Sequence, residues 1–362
     1  MKVLHVTQPV EAGTANVVKT LVRSDLDSGH EVTIGCPASP LTAWAQQQGA
    51  LTLDLPMSRL LSFGDLRAAT ALRRSMASVD VVVLHSSKAG TIGRATARTR
   101  RKASRPKVVF YPHGWSWLVP GRASNLYRKI ERVLAPSADV IVAVSSYEAT
   151  LGSQVLSSRG VDRLTTLRNG VDHEAFSPNG PAIEVGSTPT VVCVGRLCEQ
   201  KGQDLLIGAL TDERLGDVNV ILVGEGPARA ELERQADVLG VSARVEFVGF
   251  TDPRPFYRSE AVVVMPSRWE GFSLVTLEAM ACGANLLASA PAAADFTDGN
   301  GIRVMTQLSS TAIAADLVEI FGNPTAAAER RKAARALIEA SYSWAEILPR
   351  YQSLISSSSG AR

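Results

Sequence analysis

Short runs of Val, Ile, Leu and Ala recur along this chain, with helical periodicity between each run and the next. In the first half they fall at 2–7, 31–36, 80–85, 107–111 and 138–144; in the second at 190–194, 220–223, 245–248, 261–265 and 284–289. Strands this short, apolar on both faces and separated by helical segments, predict a mostly parallel sheet covered by helices on both sides. At 362 residues the chain exceeds what one ordinary core holds, so two such α/β domains are expected. The three prolines of residues 176–189 mark a linker. The expected division is a domain over 1–175, the linker, a second domain over 190–340, and a last helix with a polar tail over 341–362.

Ligands of parallel sheets gather beyond the carboxyl ends of the strands, so the residues after each run carry the chemistry. The 261–265 run leads into Ser267-Arg268-Trp269-Glu270-Gly271-Phe272-Ser273-Leu274-Val275-Thr276-Leu277-Glu278-Ala279-Met280-Ala281-Cys282-Gly283. A helix starting near Phe272 or Ser273 would aim unpaired N–H groups at an anion. Gly271 allows close approach of backbone to a ligand. Glu270 precedes that helix and Glu278 lies about two turns into it, so the two acids would meet different parts of one bound molecule.

This stretch resembles the signature of the retaining, GT-B-fold glycosyltransferases of family 4, the glycosyl transferases group 1. The resemblance implies two Rossmann-like domains facing across a cleft, with the C-terminal helix crossing back to the N-terminal domain. It also implies a nucleotide-diphosphate sugar as donor substrate, with no cofactor and no metal. By the same resemblance Glu270 contacts the donor sugar, and the amides of Gly271, Phe272, Ser273 and Leu274 hold sugar hydroxyls and diphosphate. Glu278 takes the ribose hydroxyls.

Other segments extend the likeness. After the 190–194 run, Gly195-Arg196 and Lys201-Gly202 resemble the pair that supplies two cations to the donor diphosphate. A departing nucleoside diphosphate gathers negative charge, which fixed cations stabilise. Gly226, in Gly224-Glu225-Gly226-Pro227, lies in a glycine-rich strand exit at the donor side. Gln8-Pro9-Val10-Glu11-Ala12-Gly13-Thr14-Ala15-Asn16 resembles the family's glycine-rich loop near the donor phosphates and acceptor, with Ala12 at the first of two customary glycines and Gly13 at the second. Tyr111-Pro112-His113-Gly114-Trp115 sets His113 at a strand end, where similar enzymes hydrogen-bond the donor sugar near the reacting carbon. Trp115 and Trp117 form an acceptor platform or pack; the sequence leaves both open. The customary Gly-Gly-x-x-Glu loop is missing, and Pro291-Ala292-Ala293-Ala294-Asp295 stands there instead. That departure bears on the donor sugar. The expected catalytic groups are thus His113, Arg196, Lys201 and Glu270.

Charge and cysteine content bear on partners and location. Residues 1–176 hold 22 Lys and Arg against 13 Asp and Glu, whereas the remainder holds 16 against 22. Arg94, Arg98, Arg100, Arg101, Lys102, Arg105 and Lys107 fall in a segment without an acid, and Arg122, Arg128, Lys129 and Arg132 follow. Such a cluster attracts phosphates, on an anionic membrane surface or on a phosphorylated acceptor. No nucleic-acid recognition motif accompanies it. His85-Ser86-Ser87-Lys88-Ala89-Gly90 resembles members that build exopolysaccharide or lipid-linked glycans, which implies a glycan or polyprenyl-linked acceptor. A soluble small-molecule acceptor, or a nucleotide-sugar-binding protein without catalysis, is the alternative. The four cysteines (Cys36, Cys193, Cys198 and Cys282) are scattered without a Cys-x-x-Cys pair, which argues for reduced thiols, a cytosolic site and no structural zinc. No apolar run approaches the roughly 20 residues a membrane span needs. The expected location is cytoplasmic, against the inner face of the membrane. The only Asp-x-Asp, Asp25-Leu26-Asp27, falls in a helical segment of the first half.

Overall fold

A computed structural model describes every residue except 59–61, 102–103, 187, 300 and 358–362. The end of the polar tail, 358–362, and Lys102 of the basic cluster lie outside the described residues. The chain divides into two compact units, one of residues 1–169 with 347–362 and one of residues 170–346. Residues 176–189 therefore belong to the second unit. They are held there in part by Arg258, whose Nε donates to the Ser177 carbonyl at 2.8 Å.

The first unit contains seven strands, β1 (Lys2–Thr7), β2 (Glu31–Cys36), β3 (Leu51–Asp54), β4 (Val81–His85), β5 (Lys107–Tyr111), β6 (Val140–Ala143) and β7 (Leu164–Thr166). They form one parallel sheet in the order β3-β2-β1-β4-β5-β6-β7. The second unit contains β8 (Thr190–Val194), β9 (Asn219–Val223), β10 (Val245–Gly249), β11 (Val262–Met265), β12 (Asn285–Ala288) and β13 (Arg303–Val304). Their parallel order is β10-β9-β8-β11-β12-β13. Each unit is thus a doubly wound, Rossmann-like α/β sheet. The strands β1, β4, β5, β8 and β11 are buried along almost their whole length, which accounts for their unbroken apolar runs.

In both sheets the strand order reverses at one place, between β1 and β4 and between β8 and β11. The crevice beyond those strand ends is where open α/β sheets hold ligands. Non-glycine residues in the left-handed region sit at three exits of the first sheet: Ala12 (φ 58°) after β1, Ser86 (φ 77°) after β4 and His113 (φ 52°) after β5. Such backbone is costly and concentrates where geometry serves a ligand.

Candidate functional site

In the second unit the loops after β8 and β11 lie against each other. Gly202 makes this possible: its φ is 70°, and a Cβ there would stand 2.0 Å from the Pro266 carbonyl oxygen. With that contact closed, Lys201 Nζ reaches Glu270 Oε1 at 2.5 Å. Gln200 Nε2 donates to the Trp269 carbonyl at 2.9 Å and to Glu270 Oε2 at 3.3 Å. Arg268 locks the same junction: its amide donates to the Gln200 carbonyl at 2.7 Å, and its guanidinium forks onto both oxygens of Asp204. Neither Gln200, Arg268 nor Asp204 stood out in the sequence, because each acts by holding a neighbour.

Burial works against charge on Lys201, but Glu270 outweighs it, and the ammonium is held above its ordinary range. Arg196 is exposed, and among the described residues it forms no ion pair. Its carbonyl accepts from Gln203 Nε2 at 3.1 Å, which fixes the loop beneath it. The site therefore offers one committed cation and one uncommitted cation at the β8 exit.

The helix expected near Phe272 runs from Leu274 to Ala281, with Ser273 as its N-cap accepting from the Thr276 amide. The amides of Phe272, Ser273 and Leu274 have no hydrogen-bond partner among the described residues, as the start of a helix requires of an anion cradle. The Phe272 ring turns away from that role and packs with Phe296 and Tyr342. Gly271 is buried at the turn between Glu270 and the helix. Glu278 is half-buried and accepts from the Tyr257 hydroxyl at 3.3 Å. Burial pushes its carboxyl up to about 7, against the lowering effects of Tyr257 and Lys201. Gly226 has a packing reason for lacking a side chain: a Cβ there would lie 2.2 Å from the Leu197 carbonyl, so the β9 exit rests on the loop that carries Arg196.

In the first unit, Gly13 is the second residue of the helix Ala12–Asp27 beyond β1. Ala12 keeps the left-handed backbone a glycine would adopt there. His113 lies in the loop after β5. Gly114 donates its amide to Glu148 Oε1 at 2.6 Å, and Val144 donates to Glu148 Oε2 at 2.7 Å, so one buried carboxyl ties the His113 loop to the β6 exit. Burial lowers the His113 imidazole to about 4, which keeps it neutral near pH 7. Its Nε2 lies 3.0 Å from His85 Nδ1.

Several expectations change. Trp115 and Trp117 are buried and stacked with centroids 4.5 Å apart, so they pack and offer no platform. The basic segment is largely spent inside the unit. Arg94 is fully buried against Glu131, Arg105 forks onto Asp139, and Lys107 donates to the carbonyls of Leu354 and Ser357. What remains outward is Arg98 and Arg101, with Arg122, Arg128, Lys129 and Arg132 on or beside the helix Ser124–Leu134. That helix also exposes Leu126 (57%) and Val133 (58%). Asp25 of the Asp-x-Asp is wholly buried, while none of the four cysteines is in a disulfide. Among the described residues no cluster of His, Cys, Asp or Glu has a metal-holding arrangement, and no helix is long and apolar enough to cross a membrane.

Comparison with known proteins bears on both units. Residues 12–175 match the model for Glycosyltransferase Family 4, and residues 188–323 match that for Glycosyl transferases group 1. A GDP-mannose-dependent alpha-(1-6)-phosphatidylinositol monomannoside mannosyltransferase of Mycolicibacterium smegmatis is 28% identical, over 98% of this chain and 97% of that one. Among solved structures, Anabaena HepE in complex with UDP and glucose has a TM-score of 0.85 at 22% identity, covering 99% of this chain and all of that one. Sucrose-phosphate synthase from Thermosynechococcus elongatus has a TM-score of 0.82 at 20% identity, covering 98% of each.

Proposed function

Because the chain belongs to the glycosyltransferases of family 4, group 1, and has the GT-B fold, we propose that it transfers a hexosyl unit with retention of configuration and without a metal ion. The donor is a nucleotide-diphosphate sugar. The acceptor is a hydroxyl of a glycan or polyprenyl-linked lipid in cell-envelope or exopolysaccharide assembly. The observation that carries this reading is the junction at the β8 and β11 exits, where Arg196, the Lys201–Glu270 pair and the unpartnered amides of Phe272, Ser273 and Leu274 occur together.

In this reading the bond between the anomeric carbon and the diphosphate oxygen breaks while the acceptor oxygen attacks from the same face. The acceptor proton passes to a donor phosphate oxygen. Arg196, Lys201 and the helix amides take up the charge gathered on the leaving diphosphate. Glu270 holds the sugar and keeps Lys201 in place. Glu278 accepts from the ribose hydroxyls, and His113 hydrogen-bonds a sugar hydroxyl. Gly13 lets backbone approach the phosphates.

The deciding experiment is hydrolysis and transfer with a panel of nucleotide sugars. The mannosyltransferase relative makes GDP-mannose the first donor to try, and the HepE complex makes a UDP-linked hexose the second. Replacing Arg196 by Ala lowers turnover by roughly 10²–10³, the scale of losing one charge-stabilising group; wild-type turnover in that variant overturns the assignment. Full activity in a chelator is expected, and complete loss there overturns metal independence. Donor binding without any turnover would favour a binding protein, a reading that Ala12 and the replaced glycine loop keep in view.

An anionic membrane surface is the proposed partner of helix Ser124–Leu134, whose exposed Leu126 and Val133 lie among Arg128, Lys129 and Arg132. Flotation with anionic but not neutral vesicles at low salt is expected. Absence of binding to both removes the membrane from the proposal and leaves a soluble acceptor.

A further inference from the structure

The core of the first unit contains a continuous line of polar side chains that a core ordinarily avoids. Asp25, on the inner face of helix Ala12–Asp27, accepts at Oδ2 from the Tyr351 hydroxyl (2.9 Å) and at Oδ1 from Gln352 Nε2 (2.7 Å). His5 Nε2 lies 2.8 Å from the same Oδ2. His5 Nδ1 then lies 3.0 Å from His85 Nε2, and His85 Nδ1 lies 3.0 Å from His113 Nε2. Asp25, His5, His85 and Tyr351 are all at 0% exposure.

Strand register builds this line. His5 pairs with Val83, and His85 with Thr7 and Tyr111, so each step moves one strand across and two residues toward the carboxyl ends. His113 is two residues beyond Tyr111. The His5 and His85 rings are 7° from coplanar with centroids 5.3 Å apart, and those of His85 and His113 are 20° apart at 5.2 Å. With nitrogens 3.0 Å apart, those spacings mean end-to-end contact in the ring planes, the geometry of N–H···N bonds.

Proton accounting gives the line a direction. An ionised Asp25 has only acceptors, so His5 carries its proton on Nε2. His5 is taken as neutral; an imidazolium there would reverse the tautomers of His85 and His113. With its one N–H given to Asp25, His5 Nδ1 accepts and His85 donates from Nε2. The same step repeated makes His113 the Nε2–H tautomer. We propose that Asp25, His5 and His85 are positioning residues that fix His113 in this tautomer and leave its Nδ1 lone pair to accept a hydroxyl proton from the bound sugar. This rests on the reading of His113 as a sugar contact. Desolvation lowers both His85 and His113, in keeping with neutral rings at those two positions. The other titratable neighbours are Tyr111, stacked on His85 and His113, and Glu148, which holds the loop at Gly114.

Two measurements test the proposal separately. In wild-type protein labelled with 15N-histidine, His5, His85 and His113 are expected to show a protonated Nε2 and a bare Nδ1. A protonated Nδ1 on His113, or averaging between tautomers, overturns it. Asp25→Asn is expected to lower kcat by roughly 10–100-fold, by analogy with groups that orient metal-bound histidines. It should lower kcat no further in a His113→Ala background. An equal loss in both backgrounds means that Asp25 acts on the fold alone, and overturns the proposal. If His113→Ala itself leaves kcat unchanged while the 15N pattern holds, the sugar-contact reading fails and the line of imidazoles stands.

Discussion

Glu278 sits poised between two protonation states. Its carboxyl is raised to about 7 by burial, yet its proposed task of accepting from two ribose hydroxyls needs the ionised form. Donor binding should therefore pull its pKa down and expel a proton. The sign follows: affinity is full above pH 7 and falls as pH drops through 7, approaching about tenfold per unit. Titration calorimetry in buffers of different ionisation enthalpy checks this; no proton release at pH 6.5 counts against it. Ala12 supplies a second residue-scale test. Left-handed backbone costs a residue with a Cβ roughly 1–2 kcal/mol, offset by about 0.4–1 kcal/mol through the looser unfolded chain of a glycine variant. Ala12→Gly should stabilise the protein by about 0.5–1 kcal/mol in urea unfolding. The sequence showed that Ala12 departs from glycine there, but not that the backbone keeps a glycine's conformation. In the same way Asp25 was legible only as half of an Asp-x-Asp. Its burial and its link to His5 depend on which helix face meets the sheet, and short-range spacing does not state that.

Among the elements, the clearest energetic statement concerns helices Ser86–Arg98 and Ser124–Leu134. Arg94 and Glu131 join them at 2.7 Å with both side chains essentially inaccessible, and the guanidinium lies 3.8 Å above the Phe110 ring. The contact lacks the angle of an aligned hydrogen bond, so it is chiefly charge pairing. Glu131→Ala strands a buried cation and should cost roughly 3–5 kcal/mol, whereas replacing both by Met and Leu should recover most of that loss. Chemical unfolding of the two variants beside wild type measures it; a Glu131→Ala variant as stable as wild type would contradict the burial. Strands were legible wherever they are buried on both faces. β3, with an exposed and half-buried pattern, and the three-residue β7 and two-residue β13 were not, because these edge strands carry too short or too exposed an apolar run. β10, also at an edge, was legible through Val245, Phe247 and Val248. The basic segment looks like one surface in the sequence because charge is visible there and burial is not.

At the scale of the whole molecule, the chain returns: helix Trp344–Ser356 begins in the second unit and ends in the first. There Tyr351 and Gln352 hold Asp25, and the Leu354 and Ser357 carbonyls accept from Lys107. Ending the chain at Ser343 should loosen β1 and β5 while leaving β8 and β11 protected. Amide exchange of the two sheets is the measurement, and equal loosening of both would refute it. The arrangement also has a consequence for synthesis. A ribosome finishes residue 169 long before residue 347, and at ordinary elongation rates the interval is on the order of ten to forty seconds. Throughout that interval the nascent N-terminal unit lacks its closing helix, with Asp25 and Lys107 still awaiting their partners. The C-terminal unit, though translated later, is the first whose whole sequence has been made.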